Sequence, residues 1–401
     1  MASTRESQDV VIVAAARTPF GKFGGVLSAL SAVDLGAAAI REVVRRARVD
    51  PASVDQVIMG NVLPDGLGQI PARQAALKAG LPAEVPALAI NKVCASSLKA
   101  CTLAAVLIRA GEAEIVVAGG MESMSNAPYL LDKARWGYRM GNGELRDAML
   151  VDGLWCPIND VHMGVYGSTG ARAHAVTREQ QDEFAVRSQR RFAAARAAGK
   201  FDEEIVPVQV PRGKRETVTV STDEPPRPET TLEQLAALKP AFEPEGTITA
   251  GNAPGVNDGA SALLLMSAAR AEQLGLAPLA RVVSYGEAAL EPQYMAAVPA
   301  TAMDLTVARA GLTFDVIDLV EINEAFAAVP LVCSKILALD LEKVNVNGGA
   351  VAVGHPIGAS GGRILMTLIY ELRRRAGRYG LAGICSGTAQ GDAVVVEAFQ
   401  P

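Results

Sequence analysis

Short apolar runs alternate along the chain with longer stretches in which apolar positions recur every three or four residues. Residues 10–16 (VVIVAAA) read as a buried strand, closed by Arg17-Thr18-Pro19. Ser31-Ala-Val-Asp34 has capping-box spacing and predicts a helix through about Ala47. A strand follows at 54–59, a helix at 96–110 closed by Gly111, and a strand at 114–118 that enters a turn at Gly119-Gly120. Strands alternating with helices predict a mostly parallel sheet covered on both faces.

From about 121 to 250 the pattern changes. Met, Trp, Tyr, Asn and Pro fall in loop-like runs, and a single amphipathic helix is expected from Thr177-Arg-Glu-Gln180 to about Ala198. Glu224-Pro-Pro-Arg-Pro228 is turn-rich. This stretch reads as an insertion. The last third then repeats the order of the first. Val54-Asp-Gln-Val-Ile-Met-Gly60 resembles Ile317-Asp-Leu-Val-Glu-Ile-Asn323, each a short strand pattern around an Asp. About 35 residues later comes Cys94-Ala-Ser-Ser in one case and His355-Pro-Ile-Gly in the other, each followed by a helical pattern and a glycine-bearing strand.

Composition narrows the function classes. Half of the 401 residues are hydrophobic and a fifth are charged, with 38 glycines and few aromatics. That suits tightly packed α/β layers rather than a disordered or fibrous chain. A net charge of −5 argues against general affinity for nucleic acid. The polar start, MASTRESQDV, lacks the apolar core of a signal peptide, and no run of about 18 uninterrupted apolar residues predicts a membrane span. The five cysteines (94, 101, 156, 333 and 385) are odd in number, widely spaced and without a CxxC, so neither a disulfide framework nor a metal site is expected. A cytoplasmic protein with reduced thiols is the expectation.

Candidate chemistry sits where strands give way to helices. In Asn91-Lys-Val-Cys94-Ala-Ser-Ser, a thiol stands at the predicted start of a helix, where the dipole and unpaired N–H groups favour thiolate. A buried structural cysteine is the alternative reading of this segment. His355 is one of three histidines, set among glycines before Pro356, a suitable place for a base. Cys385 ends a predicted strand, where open α/β sheets place their sites. Asn323 and Glu324 follow the 316–320 strand.

NKVCASSLKA, NEAFA, GGAVAVGHPIGASG and CSG, in this order, resemble the thiolases, as do ARTPFGKFGG, GMESMSNAPYLL, DGLWCPINDVHMG and TAGNAPGVNDGA. The resemblance runs from about residue 10 to the C-terminus. It implies two similar α/β halves stacked as five αβαβα layers: residues 1–120 with about 250–275, and residues 276–401. A loop domain at 121–249 would serve coenzyme A and substrate. It also implies roles: Cys94 the acyl-carrying nucleophile, His355 its base, Cys385 the thiol that moves the α-proton, and Asn323 the holder of a water. Two oxyanion holes are implied, one from His355 with the Asn323-held water, the other from the N–H groups of Cys94 and Gly387. His162 and Met163 match a pair found in biosynthetic, acetoacetyl-CoA-forming members. Met295 and Phe326 correspond to acyl-pocket liners, and Arg227, Ala250 and Gly251 to coenzyme A contacts. The implied reaction is the reversible condensation of two acetyl-CoA, with longer-chain 3-ketoacyl-CoA thiolysis as the alternative. Acyl-CoA and CoA would be substrates, with no permanently bound cofactor, no nucleic acid or membrane partner, and assembly as a homodimer or homotetramer.

The chain departs from the family pattern at four places. Ser97 stands for a usual Gly, Pro254 for a frequent Ser, Val165-Tyr166-Gly-Ser for I-T-A-E, and Thr388-Ala389 for further glycines. Added Cβ atoms at 388 and 389 are expected to narrow the permitted backbone. Two rival classes remain: a decarboxylating condensing enzyme, disfavoured by the second thiol at 385, and a non-catalytic binding protein, disfavoured by intact Cys94, His355 and Cys385.

Overall fold

The computed structural model describes residues 9–213 and 216–400. The polar N-terminal segment through Gln8 therefore lies outside the described residues. The first strand, β1 (Val10–Arg17), is followed by helix α1 (Ala32–Ala47), opened by the expected capping box: the Ser31 hydroxyl accepts the Asp34 N–H and the Asp34 carboxylate accepts the Ser31 N–H. Then come β2 (Gln56–Gly60), α2 (Pro71–Ala79), β3 (Ala87–Ile90), α3 (Ser96–Ala110), stopped by Gly111 in a left-handed conformation, and β4 (Ile115–Ser123). After a long excursion, β5 (Asn257–Ser267) returns to the sheet. The principal elements after it are β6 (Ala280–Ala289), α7 (Val298–Arg309), β7 (Leu319–Ile322), α8 (Ala328–Leu337), α9 (Ser360–Arg374), β8 (Tyr379–Ser386) and β9 (Gln390–Ala398).

Strand order is β7-β8-β9-β6-β1-β5-β4-β2-β3. Among the described residues, the two sheet halves share strand pairing only where Val11 and Ile12 of β1 face Arg281 and Ala280 of β6. The expected mostly parallel sheet is corrected here. Parallel pairing is confined to the outer strands (β2 with β3 and β4, β7 with β8), and the inner strands are antiparallel. A tight connection from β8 to β9 allows nothing else. The expected turn at Gly119-Gly120 is also corrected: both glycines lie inside β4. A Cβ on Gly119 would come within 2.0 Å of the Ser261 carbonyl, and one on Gly120 within 1.9 Å of the Gly358 carbonyl. Close backbone approach, not chain reversal, demands glycine there.

Alternate strand residues face different layers. Val57, Val117 and Leu264 pack under α1 and α2. Ile58, Val116 and Leu265 face the other way and meet α3 and α9, whose far sides pack on Ile384, Val394 and Val396 of the second sheet. Leu381 and Val395 then face α7 and α8. The result is the five-layer αβαβα stack. The window Val93–Ala110 is long and apolar enough to cross a bilayer, yet its helix forms the central layer between the sheets.

The described residues of 124–256 add no strand to this sheet, only two-stranded ribbons and helices, including α4 (Met163–Ala173), α5 (Arg178–Ala197) and α6 (Leu232–Ala236). α5 has its expected capping box at Thr177. Its buried face mixes Phe184, Val186 and Phe192 with Gln181, Asp182, Ser188 and Gln189, so its amphipathic pattern is weak. The excursion is anchored by fully buried Arg17, which pairs with Asp223 (2.7 and 2.9 Å) and Glu204 (2.9 Å).

Candidate active site

Between β3 and α3 the chain makes a tight elbow. Val93 has φ 44°, a left-handed conformation that a β-branched residue rarely adopts. Its neighbours over-determine it. The Asn91 side chain accepts the Val93 N–H (2.9 Å), and the Ser96 hydroxyl accepts the Lys92 N–H (2.8 Å) and donates to the Val93 carbonyl (2.6 Å). The Ser386 hydroxyl donates to the Lys92 carbonyl from the other half. Cys94 follows this elbow and keeps partial exposure. The expected thiolate is corrected. Burial pushes the Cys94 thiol up to about 12, and the Glu122 charge pushes the same way. The local helix terminus is outweighed by desolvation, and the resting sulfur keeps its proton.

His355 is buried in the loop before α9. Its N–H donates to Asn257 Oδ1 (2.8 Å), and Gly354 just before it takes φ 102° against the Asn257 side chain. The His355 Nδ1 lies 2.6 Å from the Ser360 hydroxyl, which donates to the Pro356 carbonyl (3.0 Å). On the far side, Nε2 lies 3.4 Å from Asn323 Nδ2. Arg363 Nη2 meets Asn323 Oδ1 at 3.4 Å, and Arg363 Nη1 meets Glu321 at the same distance. A guanidinium can only donate, so it turns the Asn323 N–H2 towards the imidazole. The ring is then a neutral tautomer with its proton on Nδ1 and a lone pair at Nε2. Burial, with the Arg363 charge adding to it, pushes His355 down to about 3, so the resting ring is neutral.

Cys385 lies near the end of β8, fully buried, and its thiol is pushed well above its ordinary value by burial and then by the neighbouring sulfurs of Cys94 and Cys333. Gly387 follows against the elbow: a Cβ there would lie 3.2 Å from Val93 Cγ2. Thr388 and Ala389 both take left-handed conformations, φ 58° and 55°. Their Cβ atoms have thus not narrowed the backbone; the turn keeps a glycine-like shape and bears the strain.

An aromatic row walls the site. His162 stacks on Phe242 (4.2 Å), Phe242 meets Phe326 edge-on (6.2 Å), and Trp155 approaches His162 from the other side (6.5 Å). His162 Nδ1 accepts the Gly164 N–H (3.0 Å), which caps α4, and burial pushes this ring down to about 4. Met295, Phe326 and Cys385 share one apolar cluster, with Met163 packed against it. A second cluster of Val62, Leu63, Met124 and Ile357 packs around Val93 and Cys94. Arg227 is exposed further out, where its guanidinium reaches the Ala250 carbonyl (3.4 Å). Gly251 packs on α6, where a Cβ would strike Leu235 at 2.3 Å.

The N-terminal domain of thiolase matches residues 10–269 and the C-terminal domain of thiolase matches residues 276–398. The chain belongs to the thiolase family. It is 55% identical to an acetyl-CoA acetyltransferase of Cupriavidus necator over 97% of this chain and 99% of that one. An Escherichia coli acetyl-CoA acetyltransferase is 52% identical with the same coverage. The crystal structure of the Bacillus anthracis acetyl-CoA acetyltransferase superposes with a TM-score of 0.95 at 44% identity, covering 98% of this chain and 99% of that one.

Two departures of this thiolase from the family pattern have a structural account. The Ser97 hydroxyl accepts the Gly362 N–H (2.9 Å), joining α3 to the first turn of α9 across the central layer. Gly167 lets the Phe326 ring close on α4, since a Cβ would lie 2.8 Å from Phe326 Cδ2, while the Ser168 hydroxyl accepts the Thr247 N–H (3.0 Å). Nothing in the structure explains Pro254. Four residues that hold the site escaped the sequence reading as site residues: Asn257, Ser360, Arg363 and Glu122. Glu122, Asn257 and Ser360 lie within motifs of the family resemblance, the signal that could have found them.

Proposed function

We propose that this thiolase is an acetyl-CoA C-acetyltransferase that joins two acetyl-CoA into acetoacetyl-CoA and CoA, and runs equally in reverse. Cys94 Sγ attacks the thioester carbonyl as its proton passes to His355 Nε2. The C–S bond to CoA breaks, and the CoA thiolate leaves with that proton, giving acetyl-Cys94. Cys385 passes its own proton to the freed His355 and, as thiolate, takes an α-proton from a second acetyl-CoA. The resulting carbanion attacks the acetyl carbon, expelling the Cys94 thiolate, which recovers its proton from His355 as acetoacetyl-CoA is released. Donors from Cys94 and Gly387 N–H groups would hold one oxyanion, and His355 with an Asn323-bound water the other. Met295, Phe326, His162 and Met163 would line the acyl and pantetheine path, with Arg227, Ala250 and Gly251 meeting coenzyme A further out.

The observation that carries this reading is the Arg363–Asn323–His355–Ser360 chain, which holds a neutral imidazole whose Nε2 lone pair meets Asn323 Nδ2 at a long 3.4 Å, in the fold that also carries Cys94 and Cys385. High thiol pKa values fit a proton handed over only as the thioester arrives. Thiolysis of acetoacetyl-CoA followed by absorbance tests it, with Cys94→Ala as control. Turnover no higher than the control, or a preference for C8 and C10 ketoacyl-CoA over C4, would overturn it. Exposed Tyr129, Trp136, Met140 and Leu145 support association between copies, readable by sedimentation. Reduced thiols fit a cytoplasmic setting.

A further inference from the structure

We propose that Glu122 is a positioning residue that locks the His355 loop of one half to the loop beneath Cys94 in the other, an inference that rests on the acyl-transfer reading above. Glu122 is fully buried near the end of β4, and its two oxygens take four donors. Oε1 accepts from Asn61 Nδ2 (2.8 Å) and the Leu63 N–H (3.1 Å). Oε2 accepts from the Val62 N–H (3.0 Å) and the Gly358 N–H (3.0 Å). Residues 61–63 follow β2 in the first half. Gly358 lies three residues after His355 in the second. One carboxylate therefore ties both loops at the point where the halves must register.

The fit around it is close. A Cβ on Gly358 would come within 2.6 Å of Glu122 Oε2, and one on Gly120 within 1.9 Å of the Gly358 carbonyl. Ile357, Val62 and Leu63 pack together beside Cys94. Burial pushes this carboxyl group up to about 7, its four hydrogen bonds pull the other way, and no cation is among the influences on it. When ionised, its charge acts on the Cys94 thiol. A negative charge near a thiol that must lose its proton opposes that loss. Glu122 is thus not built to activate the nucleophile. It offers four acceptor sites in a place where donors converge from both halves.

The two effects pull in opposite directions, and that separates positioning from mere support of the fold. In Glu122→Gln, one oxygen becomes an N–H2 facing two N–H donors, and the charge is gone. Thiolysis kcat/KM is expected to fall roughly 10–100-fold, as for other residues that orient a reacting group through a second one. Alkylation of Cys94 by iodoacetamide at pH 8.5, where a carboxyl group held at about 7 is ionised in the parent protein, is expected to become faster. Glu122→Asp keeps the charge but retracts the acceptors, so it should lose turnover without the gain in alkylation. Circular dichroism reports folding of each variant. Turnover within twofold of the parent protein overturns the proposal. So does a folded Glu122→Gln variant in which alkylation slows together with turnover, and so does failure of both variants to fold, which would make the role structural. If the parent protein itself fails to cleave acetoacetyl-CoA, the acyl-transfer reading fails instead, and the alkylation results still report on Glu122.

Discussion

In the first half of the molecule, Asp55 accepts the backbone N–H groups of Glu114 (2.7 Å) and Ile115 (2.8 Å); in the second, Asp318 accepts those of Arg378 (2.7 Å) and Tyr379 (2.9 Å). Their own N–H groups donate to the carbonyls of Ile115 and Tyr379, both at 2.9 Å. Each Asp fastens the start of a short strand to the start of its parallel neighbour. The halves thus share an anchor to the level of single hydrogen bonds. At the other end of those strands they diverge. The first half presents a strained elbow and the Cys94 thiol before α3. The second presents His355 before α9, with Asn323 and Cys385 at the ends of β7 and β8. Common scaffolding with different loop chemistry lets one site draw a nucleophile from one half and proton-handling groups from the other.

The largest effect expected from breaking this division comes from the two thiols. Cys94→Ala should lower thiolysis by roughly 10⁴-fold or more, as removal of a nucleophile does elsewhere. It should also abolish exchange of labelled CoA into acetyl-CoA. Cys385→Ala should lower thiolysis comparably yet leave that exchange within about tenfold of the parent protein, because the exchange needs no α-proton transfer. Equal loss of exchange in both variants would show that the halves do not divide the work in this way.

His355 gives the next test. An imidazole of ordinary pKa near 6.5 would be about nine-tenths protonated at pH 5.5, cutting kcat/KM roughly tenfold. Burial pushes His355 down to about 3, so the base stays neutral through that range. In the Glu122→Gln variant, which lacks the carboxyl group held at about 7, thiolysis kcat/KM measured from pH 7.5 to 5.5 should fall by less than about twofold on this account. An acid limb near 6.5 that disappears in Ser360→Ala would contradict the buried neutral tautomer.

Much of this arrangement is legible in the sequence, for reasons that differ by residue. The helix starts at Ser31 and Thr177 are visible because a capping box is written within four residues. Cys94 and His355 stand out because each sits in a loop punctuated by small residues, and Cys385 because it comes at the end of a strand, just before Ser386-Gly387. Gly119-Gly120 misleads because a glycine required by a neighbouring backbone looks the same as one required by a turn. Glu122 and Gly358 are 236 residues apart, and Asn257 and His355 are 98 apart, so no local pattern records their pairing. The thiolate expectation failed because the helix terminus is local and readable, whereas the burial that outweighs it comes from both sheets at once.

A smaller effect tests the strained turn of the second half. Thr388 and Ala389 are held in left-handed conformations, where a side chain costs about 1–2 kcal/mol per residue. Glycine removes that strain but returns about 0.5–1 kcal/mol of unfolded-state entropy at each position. The Thr388→Gly/Ala389→Gly pair should therefore raise unfolding free energy by about 1 kcal/mol in denaturant titration, by the difference of those two terms. Val93, its counterpart in the first half, is held by three local hydrogen bonds and the Ser386 hydroxyl. Val93→Gly relieves one such conformation rather than two, so it should gain less than the pair. A larger gain at Val93 would reverse the assignment of strain between the halves.

The smallest effect bears most directly on the shared anchor. Asp55 and Asp318 are exposed, so each pair of N–H groups can turn to water when its carboxylate is lost. Ala at either position should cost about 1 kcal/mol, the net worth of ordinary hydrogen bonds at a wet site rather than of buried ones. The costs should match to within about 0.5 kcal/mol and add in the double variant, since the two sites share no partner. Denaturant unfolding of the two single variants and the double measures this. A cost at Asp318 several times that at Asp55 would mean that the second half leans on its anchor in a way the first does not. Thiolysis should be unchanged in all three, because each anchor grips the strand ends opposite the loops that carry Cys94, Asn323 and Cys385.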